Sequence, residues 1–131
     1  GCLDIITRLA GSEWGDLPRF QRENNDSGLI LYFENVEMGP CELTRALYSL
    51  RLKGWFKCVT GILIGRSAGP NTELPTQQNY TDALISALGD LLIPVIYDVD
   101  IGHIPPQMTL VNGAQATVIF KNHGGSITQQ L

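Results

Sequence analysis

Short apolar runs alternate with polar breaks marked by glycine and proline, and the period of each run predicts its element. Leu3, Ile5, Ile6, Leu9 and Ala10 recur at helical spacing, and no capping residue precedes them. A chain that opens inside an element predicts a segment cut from a longer protein. Gly11 to Asn25 is polar and punctuated by Gly15 and Pro18. Gly28 then opens Leu29, Ile30, Leu31, Tyr32 and Phe33, a run of β-formers that predicts a strand buried on both faces. Gly39 and Pro40 break it, and Pro40 suits a first helical turn, where its missing N–H costs nothing. Leu43, Ala46, Leu47 and Leu50 then form one face of a helix that runs to Lys53 and ends at Gly54.

Cys58 to Ile64 predicts a second apolar strand, and Gly69 to Pro75 a loop with two prolines. A helix follows over Tyr80 to Leu92, with Ala83, Leu84, Ala87, Leu88 and Leu91 on one face, then Pro94 and a third strand from Val95 to Val99. Strand, helix, strand, helix, strand predicts an α/β core with a parallel sheet and right-handed crossovers. The last third changes character. Met108 to Val111, Gln115 to Lys121 and Ser126 to Gln130 read as strands, separated by Asn112 and Gly113 and by Asn122 to Gly125. Glycine-bearing tight turns favour antiparallel hairpins, so a second, antiparallel sheet is expected. No internal repeat or long linker divides residues 1–131, which predicts a single domain.

Composition narrows the classes. With 44% hydrophobic and 17% charged residues the chain has enough apolar material for one core. A net charge of −4 without a Lys or Arg cluster argues against nucleic acid as a partner. The longest apolar runs fall far short of the roughly 20 residues of a membrane span. Cys2, Cys41 and Cys58 are an odd set without paired spacing, which suggests neither a disulfide framework nor a zinc knuckle and makes a reducing cytoplasm the expected compartment. Asn79, Tyr80, Thr81 matches a glycosylation acceptor, but no signal peptide accompanies it.

In a parallel α/β sheet ligands gather where strands end. The residues there are Glu34 and Asn35 after the first strand, Arg66 and Ser67 after the second, and Asp98, Asp100, Gly102 and His103 after the third. A carboxylate at the end of a buried strand must be solvated, paired or hydrogen-bonded, and most such acids simply face water. His103 sits between Gly102 and Ile104 with Pro105 and Pro106 behind it, a stiff support that suits a general base but equally a loop histidine packed by prolines. His123, among turn glycines, is expected to face solvent. Gly65, Arg66, Ser67, Ala68, Gly69 matches G-x-S-x-G, and Asp98 or Asp100 with His103 completes the hydrolase order. A nucleophile elbow passes straight into a helix, however, and Pro70, Asn71, Thr72 and Pro75 spell a loop. No phosphate-binding glycine pattern follows a strand and no His or Cys pair has metal-ligand spacing, so neither cofactor nor metal is expected.

Taken in order, these segments resemble the LD-carboxypeptidases and their microcin C immunity relatives, serine peptidases of two domains. The resemblance spans nearly the whole chain. It rests on GCLDIITRLAGSEWGDLP, on LILYFENVEMGPCELTRALYSLRLKGWF with an acid at the end of an apolar strand, on CVTGILIGR, and on IPVIYDVDIGHIPPQMTLVNGAQATV, where a histidine follows glycine and precedes prolines. It implies a C-terminal, swivelling β/β/α domain with a parallel sheet, a smaller antiparallel sheet and a helical layer. It implies Glu34 as the triad acid and His103 as the general base, with the nucleophilic serine in an N-terminal domain. The implied substrates are the L,D-amide bond of murein tetrapeptides in cell-wall recycling, or the acyl link of peptidyl or aminoacyl nucleotides.

Three readings follow. In the first, the chain is a peptidase domain inactive without its N-terminal nucleophile domain. In the second, it is a small self-contained hydrolase using Ser67. In the third, it is a non-catalytic binding or assembly module whose apolar helix Cys2 to Ala10 drives homodimerisation.

Overall fold

A computed structural model describes residues 1–24, 28–122 and 124–130 of the chain. The elements are α1 (Leu3–Leu9), α2 (Leu17–Glu23), β1 (Ile30–Phe33), α3 (Pro40–Leu52), a 3-10 turn (Trp55–Lys57), β2 (Gly61–Gly65), α4 (Tyr80–Leu88), β3 (Val95–Val99), β4 (Gln115–Lys121) and β5 (Gly124–Gln130). Strands β1, β2 and β3 pair in parallel in that order, with Leu31 opposite Ile62 and Leu63 opposite Ile96. Strands β4 and β5 form a separate antiparallel pair. The parallel sheet, the smaller antiparallel sheet and the helical layer are the architecture that the resemblance implied.

Because side chains alternate along a strand, Phe33, Ile62 and Ile64 point to one face, where they pack on Leu43, Leu47 and Leu50 of α3 and Ala83, Leu84, Ala87 and Leu88 of α4. Helix α3 starts as expected, with Gly39 at its N-cap and Pro40 in its first turn. Helix α4 starts at Asn79, whose side chain accepts from the Asp82 N–H while the Asp82 carboxylate accepts from the Asn79 N–H. The apparent glycosylation tripeptide is thus a helix start. Among the described residues no helix is long and apolar enough to cross a membrane.

Several predicted elements differ. The first strand is not buried on both faces: Ile30 is exposed, because the second sheet stands off the parallel one and leaves a cleft of about 920 Å³ between Ile30, Leu63 and Tyr97 on one side and Val118 and Phe120 on the other. Met108 to Val111 is not a strand. The side-chain amide of Gln129 takes both backbone groups of Val111 (2.9 Å each), replacing the partner strand that a ladder would need. The second strand starts at Gly61, since Trp55–Lys57 turns and the Cys58 N–H closes onto the Trp55 carbonyl. Helix α4 ends at Leu88, with Gly89 at its C-cap. The polar stretch after α1 contains α2, capped by Asp16, with Pro18 in its first turn. The hairpin glycines belong to β5 rather than to a turn, with Gly124 opposite Lys121. His123 lies outside the described residues.

Helix α1 uses its apolar stripe internally. Leu3 and Ala10 are buried and Ile6 packs on the same core, whereas Ile5 and Leu9 remain about half exposed. As expected, no side chain caps its N-terminus. The first orphan donor is satisfied instead by the end of β1, where the Leu3 N–H bonds the Glu34 carbonyl at 2.9 Å. That bond sets Cys2 beside Glu34.

Candidate active site

The first residues beyond the three parallel strands meet at one edge of the sheet, and there the chain buries a carboxylate. Glu34, directly after β1, is 6% exposed. A buried carboxylate is tolerated only with hydrogen-bond partners, and Glu34 has two. His103 Nδ1 lies 2.9 Å from one of its oxygens and 3.0 Å from the other, and the Cys2 thiol donates to the first at 3.1 Å. The alternative of a strand-end acid facing water is therefore not what the fold contains.

Two glycines admit that carboxylate. A Cβ at Gly102 would stand 2.5 Å from Glu34 Oε2, and one at Gly65 would stand 3.0 Å from Glu34 Cβ and 2.4 Å from the Ile101 carbonyl. Gly102 also has φ +103°, a conformation reserved for glycine. Buried Ile101 anchors the chain just before it. His103, by contrast, has a side chain 57% exposed, so its ring is tethered at Nδ1 and open elsewhere.

The loop that carries His103 is held from behind by Arg66, at the end of β2. Its guanidinium donates to the carbonyls of Ile104 (2.8 Å), Pro105 (3.3 Å) and Pro106, and pairs with Asp100 at 3.0 Å. The stiffness expected from the prolines thus depends on an arginine as well.

Burial alone would push the Glu34 carboxyl up. Hydrogen bonds from Cys2 and His103, with the charge of His103, outweigh burial and hold it below the usual carboxylate range. The Cys2 thiol is pushed up to about 11, first by burial and then by its bond to Glu34. When the ring is neutral, an ionised Glu34 favours the tautomer in which His103 Nδ1 donates and Nε2 accepts. Chemically the arrangement can hold a histidine in one tautomer with a buried acid behind it.

The linkage has a definite sign. A carboxyl whose folded pKa is depressed adds stability above its unfolded value and loses it as pH falls through the folded value. Glu34→Gln is expected to cost little folding free energy at neutral pH. The gap between wild type and variant should hold from about pH 7 to about 5 and narrow as pH falls below that, through the unfolded carboxyl value of about 4.3 and then the folded one. Urea unfolding across that range measures it; a constant gap would mean that the pair is not coupled to folding.

The other candidates do different work. Asn35 is buried and structural, its amide donating to the Met38 carbonyl (2.7 Å) and accepting from the Met38 N–H (3.1 Å). Ser67 is tied into the same turn, its Oγ accepting from Asn35 Nδ2 (2.9 Å) and from the Gly69 N–H (3.3 Å). No helix follows Ser67 until Tyr80, so it does not sit on an elbow. Asp100 belongs to Arg66, and Asp98, at φ 58°, lines the inter-sheet cleft. Neither acid orients His103. The residue that sequence reasoning missed is Cys2, because 32 positions separate it from Glu34 and only the docking of α1 onto β1 joins them.

Residues 1–118 match the profile of the LD-carboxypeptidase C-terminal domain. Over 130 residues, 99% of the chain, the sequence is 28% identical to the microcin C7 self-immunity protein MccF of Escherichia coli, and it covers 36% of that protein. The crystal structure of a muramoyltetrapeptide carboxypeptidase from Oxalobacter formigenes matches 97% of the chain with a TM-score of 0.78 at 24% identity, over 42% of its own length. An MccF-like protein from Streptococcus pneumoniae, solved in complex with AMP, matches 88% of the chain with a TM-score of 0.63 at 24% identity, over 35% of its own length. At that identity the two structures speak for the fold alone. The chain spans about a third of the length of MccF.

Proposed function

The chain belongs to the LD-carboxypeptidase C-terminal domain family, and from that premise we propose that it supplies the acid and the base of a serine peptidase whose nucleophile lies in a separate N-terminal domain. The observation that carries the reading is His103 Nδ1 held between both oxygens of a buried Glu34 (2.9 and 3.0 Å) at the strand-end edge of the sheet. In this mechanism Nε2 accepts the serine proton as the hydroxyl attacks the substrate carbonyl. Glu34 fixes the tautomer and stabilises the imidazolium. The same imidazolium then protonates the departing amine, and a water activated in the same way releases the acyl group.

Glutamate serves here because the helix-docked end of β1 and the two glycines bring its longer side chain to the ring. A separate nucleophile is supported by the matched proteins being much longer than this chain, and by Ser67 being committed to the Asn35 turn. The substrates we propose are an L,D-amide of a murein tetrapeptide or the acyl link of a peptidyl or aminoacyl nucleotide. We place the work in the cytoplasm, where three free cysteines remain reduced.

The test compares this chain alone with the protein in which it follows the proposed N-terminal domain, on a murein tetrapeptide and on an aminoacyl nucleotide. Hydrolysis of one substrate by the joined protein alone, with a serine phosphonate labelling the N-terminal domain, is the expected result. Hydrolysis by the chain alone, or an adduct on Ser67, would overturn it.

A further inference from the structure

Three donor atoms of different chemistry converge where the candidate acid and base meet: Cys2 Sγ, a Glu34 oxygen and a ring nitrogen of His103, all within 4.8 Å of one another. We propose that they form a three-ligand site for a thiophilic divalent cation, with Zn²⁺ the best match, and that the ion takes the place of the hydrogen bonds now joining them. The site as a metal site rests on geometry alone; its effect on catalysis rests on the peptidase reading.

Donor type selects the ion. Magnesium and calcium require oxygen cages, whereas a sulfur, an imidazole nitrogen and one carboxylate suit zinc. With zinc–ligand bonds of about 2.0–2.3 Å, two ligands of a tetrahedral ion stand roughly 3–4 Å apart. Cys2 Sγ to Glu34 Oε1 at 3.1 Å and His103 Nδ1 to the same oxygen at 2.9 Å lie at or just under that spacing, so a small spreading of the side chains admits the ion. Three protein ligands leave the fourth position of a tetrahedral zinc to water.

The ligands are also held in place before any ion arrives. Cys2 is fixed by the Leu3-to-Glu34 backbone bond, Glu34 by the glycine cradle, and the His103 loop by Arg66. Little ordering entropy therefore opposes binding. On binding, the Cys2 thiol releases its proton to water, and the thiolate and carboxylate neutralise the ion's two charges. His103 gives its Nδ1 lone pair to the ion and keeps its proton on Nε2. That tautomer cannot accept a proton from serine, so the metal-bound form would be catalytically silent. Zinc would act as a reversible inhibitor, assembled from the triad pair plus one cysteine.

Calorimetric titration of the 131-residue chain with Zn²⁺, after chelator treatment under reducing conditions, should give one ion per chain. Co²⁺ in its place should show a thiolate-to-cobalt charge-transfer band. Cys2→Ala should abolish the band, and Cys2→Ala and His103→Ala should each weaken Zn²⁺ binding by at least about tenfold. Thermal melts establish that each variant folds, and Cys2→Ser, which keeps a donor to Glu34, replaces Cys2→Ala if the latter does not.

Unchanged affinity in the folded Cys2 variants, or loss of binding in Cys41→Ala/Cys58→Ala instead, would overturn the site. In the joined protein, Zn²⁺ should suppress hydrolysis, EDTA should restore it, and the activity that Cys2→Ser retains should resist Zn²⁺. Metal binding by a protein that hydrolyses neither substrate would defeat the peptidase reading and leave the site standing; hydrolysis by a protein that binds no metal here would do the reverse.

Discussion

On the proposed function, His103→Ala, made in the protein that joins this chain to the proposed nucleophile domain, is expected to lower kcat by about 10⁴- to 10⁶-fold with little change in KM, the scale seen when the base of a serine triad is removed. The split between the two constants is the informative part. A base acts on the serine proton during attack, so its loss falls on the transition state, whereas a residue that merely grips substrate would raise KM. His103 is more than half exposed, and its ring nitrogen Nδ1 bonds Glu34. Its removal therefore leaves no hole in the core. The structural cost is the carboxylate it abandons, which keeps the Cys2 thiol as a donor. A loss of about 1–3 kcal/mol is expected for a buried acceptor deprived of one partner. Steady-state kinetics with urea unfolding of the same variant separates the two effects. A drop in kcat below about tenfold would remove His103 from the chemistry.

The arrangement behind that expectation was legible in part from the chain alone. Glu34 follows an apolar run and His103 sits between a glycine and two prolines; their placement at strand ends follows from the α/β alternation. Burial of Glu34 was not legible. It depends on Gly65 and Gly102, from two other strand ends, packing so close that a Cβ on either would fall within 3.0 Å of its side chain, and no local pattern records a tertiary approach. Cys2 was hidden for the same reason, since it serves as the N-cap position of a helix whose own signals say nothing about β1.

The fold shows the same division. Helices α3 and α4 follow from periodicity, and strands β1 to β3 from short apolar runs, because each contributes apolar side chains to one core. Helix α2 escaped because it has no buried residue and hence no such face, and Pro18 reads as a breaker unless Asp16 is recognised as the cap ahead of it. Met108 to Val111 misled in the opposite direction. It has the composition of a strand, but the Gln129 side chain satisfies the backbone that a strand would present to a neighbour. Composition reports which residues prefer an extended chain, not where their hydrogen bonds go.

Gly102→Ala should strike the acid and base pair directly, and Gly113→Ala provides its control. Both glycines have positive φ, +103° and +77°, so alanine meets backbone strain at either site, on the order of 1–3 kcal/mol. Only at Gly102 does the new Cβ also meet a functional group: it would stand 2.5 Å from Glu34 Oε2 and 2.9 Å from the carboxyl carbon, whereas nothing lies within 4 Å at Gly113. The carboxylate cannot retreat freely, because it is held by His103 Nδ1 at 2.9 and 3.0 Å and by the Cys2 thiol at 3.1 Å. Either the loop bearing His103 lifts or the carboxylate turns away from the ring, and each breaks the Nδ1 contacts. A displacement of about 1 Å at a catalytic group costs on the order of 10²-fold in rate, so kcat/KM in the joined protein should fall at least that far for Gly102→Ala and hardly at all for Gly113→Ala. Stability should fall by about 2–4 kcal/mol at Gly102 and by about 1 kcal/mol at Gly113. The excess belongs to the contact with Glu34 rather than to φ. If the two variants lose equal stability and equal activity, the glycine cradle is not what holds the acid against the base.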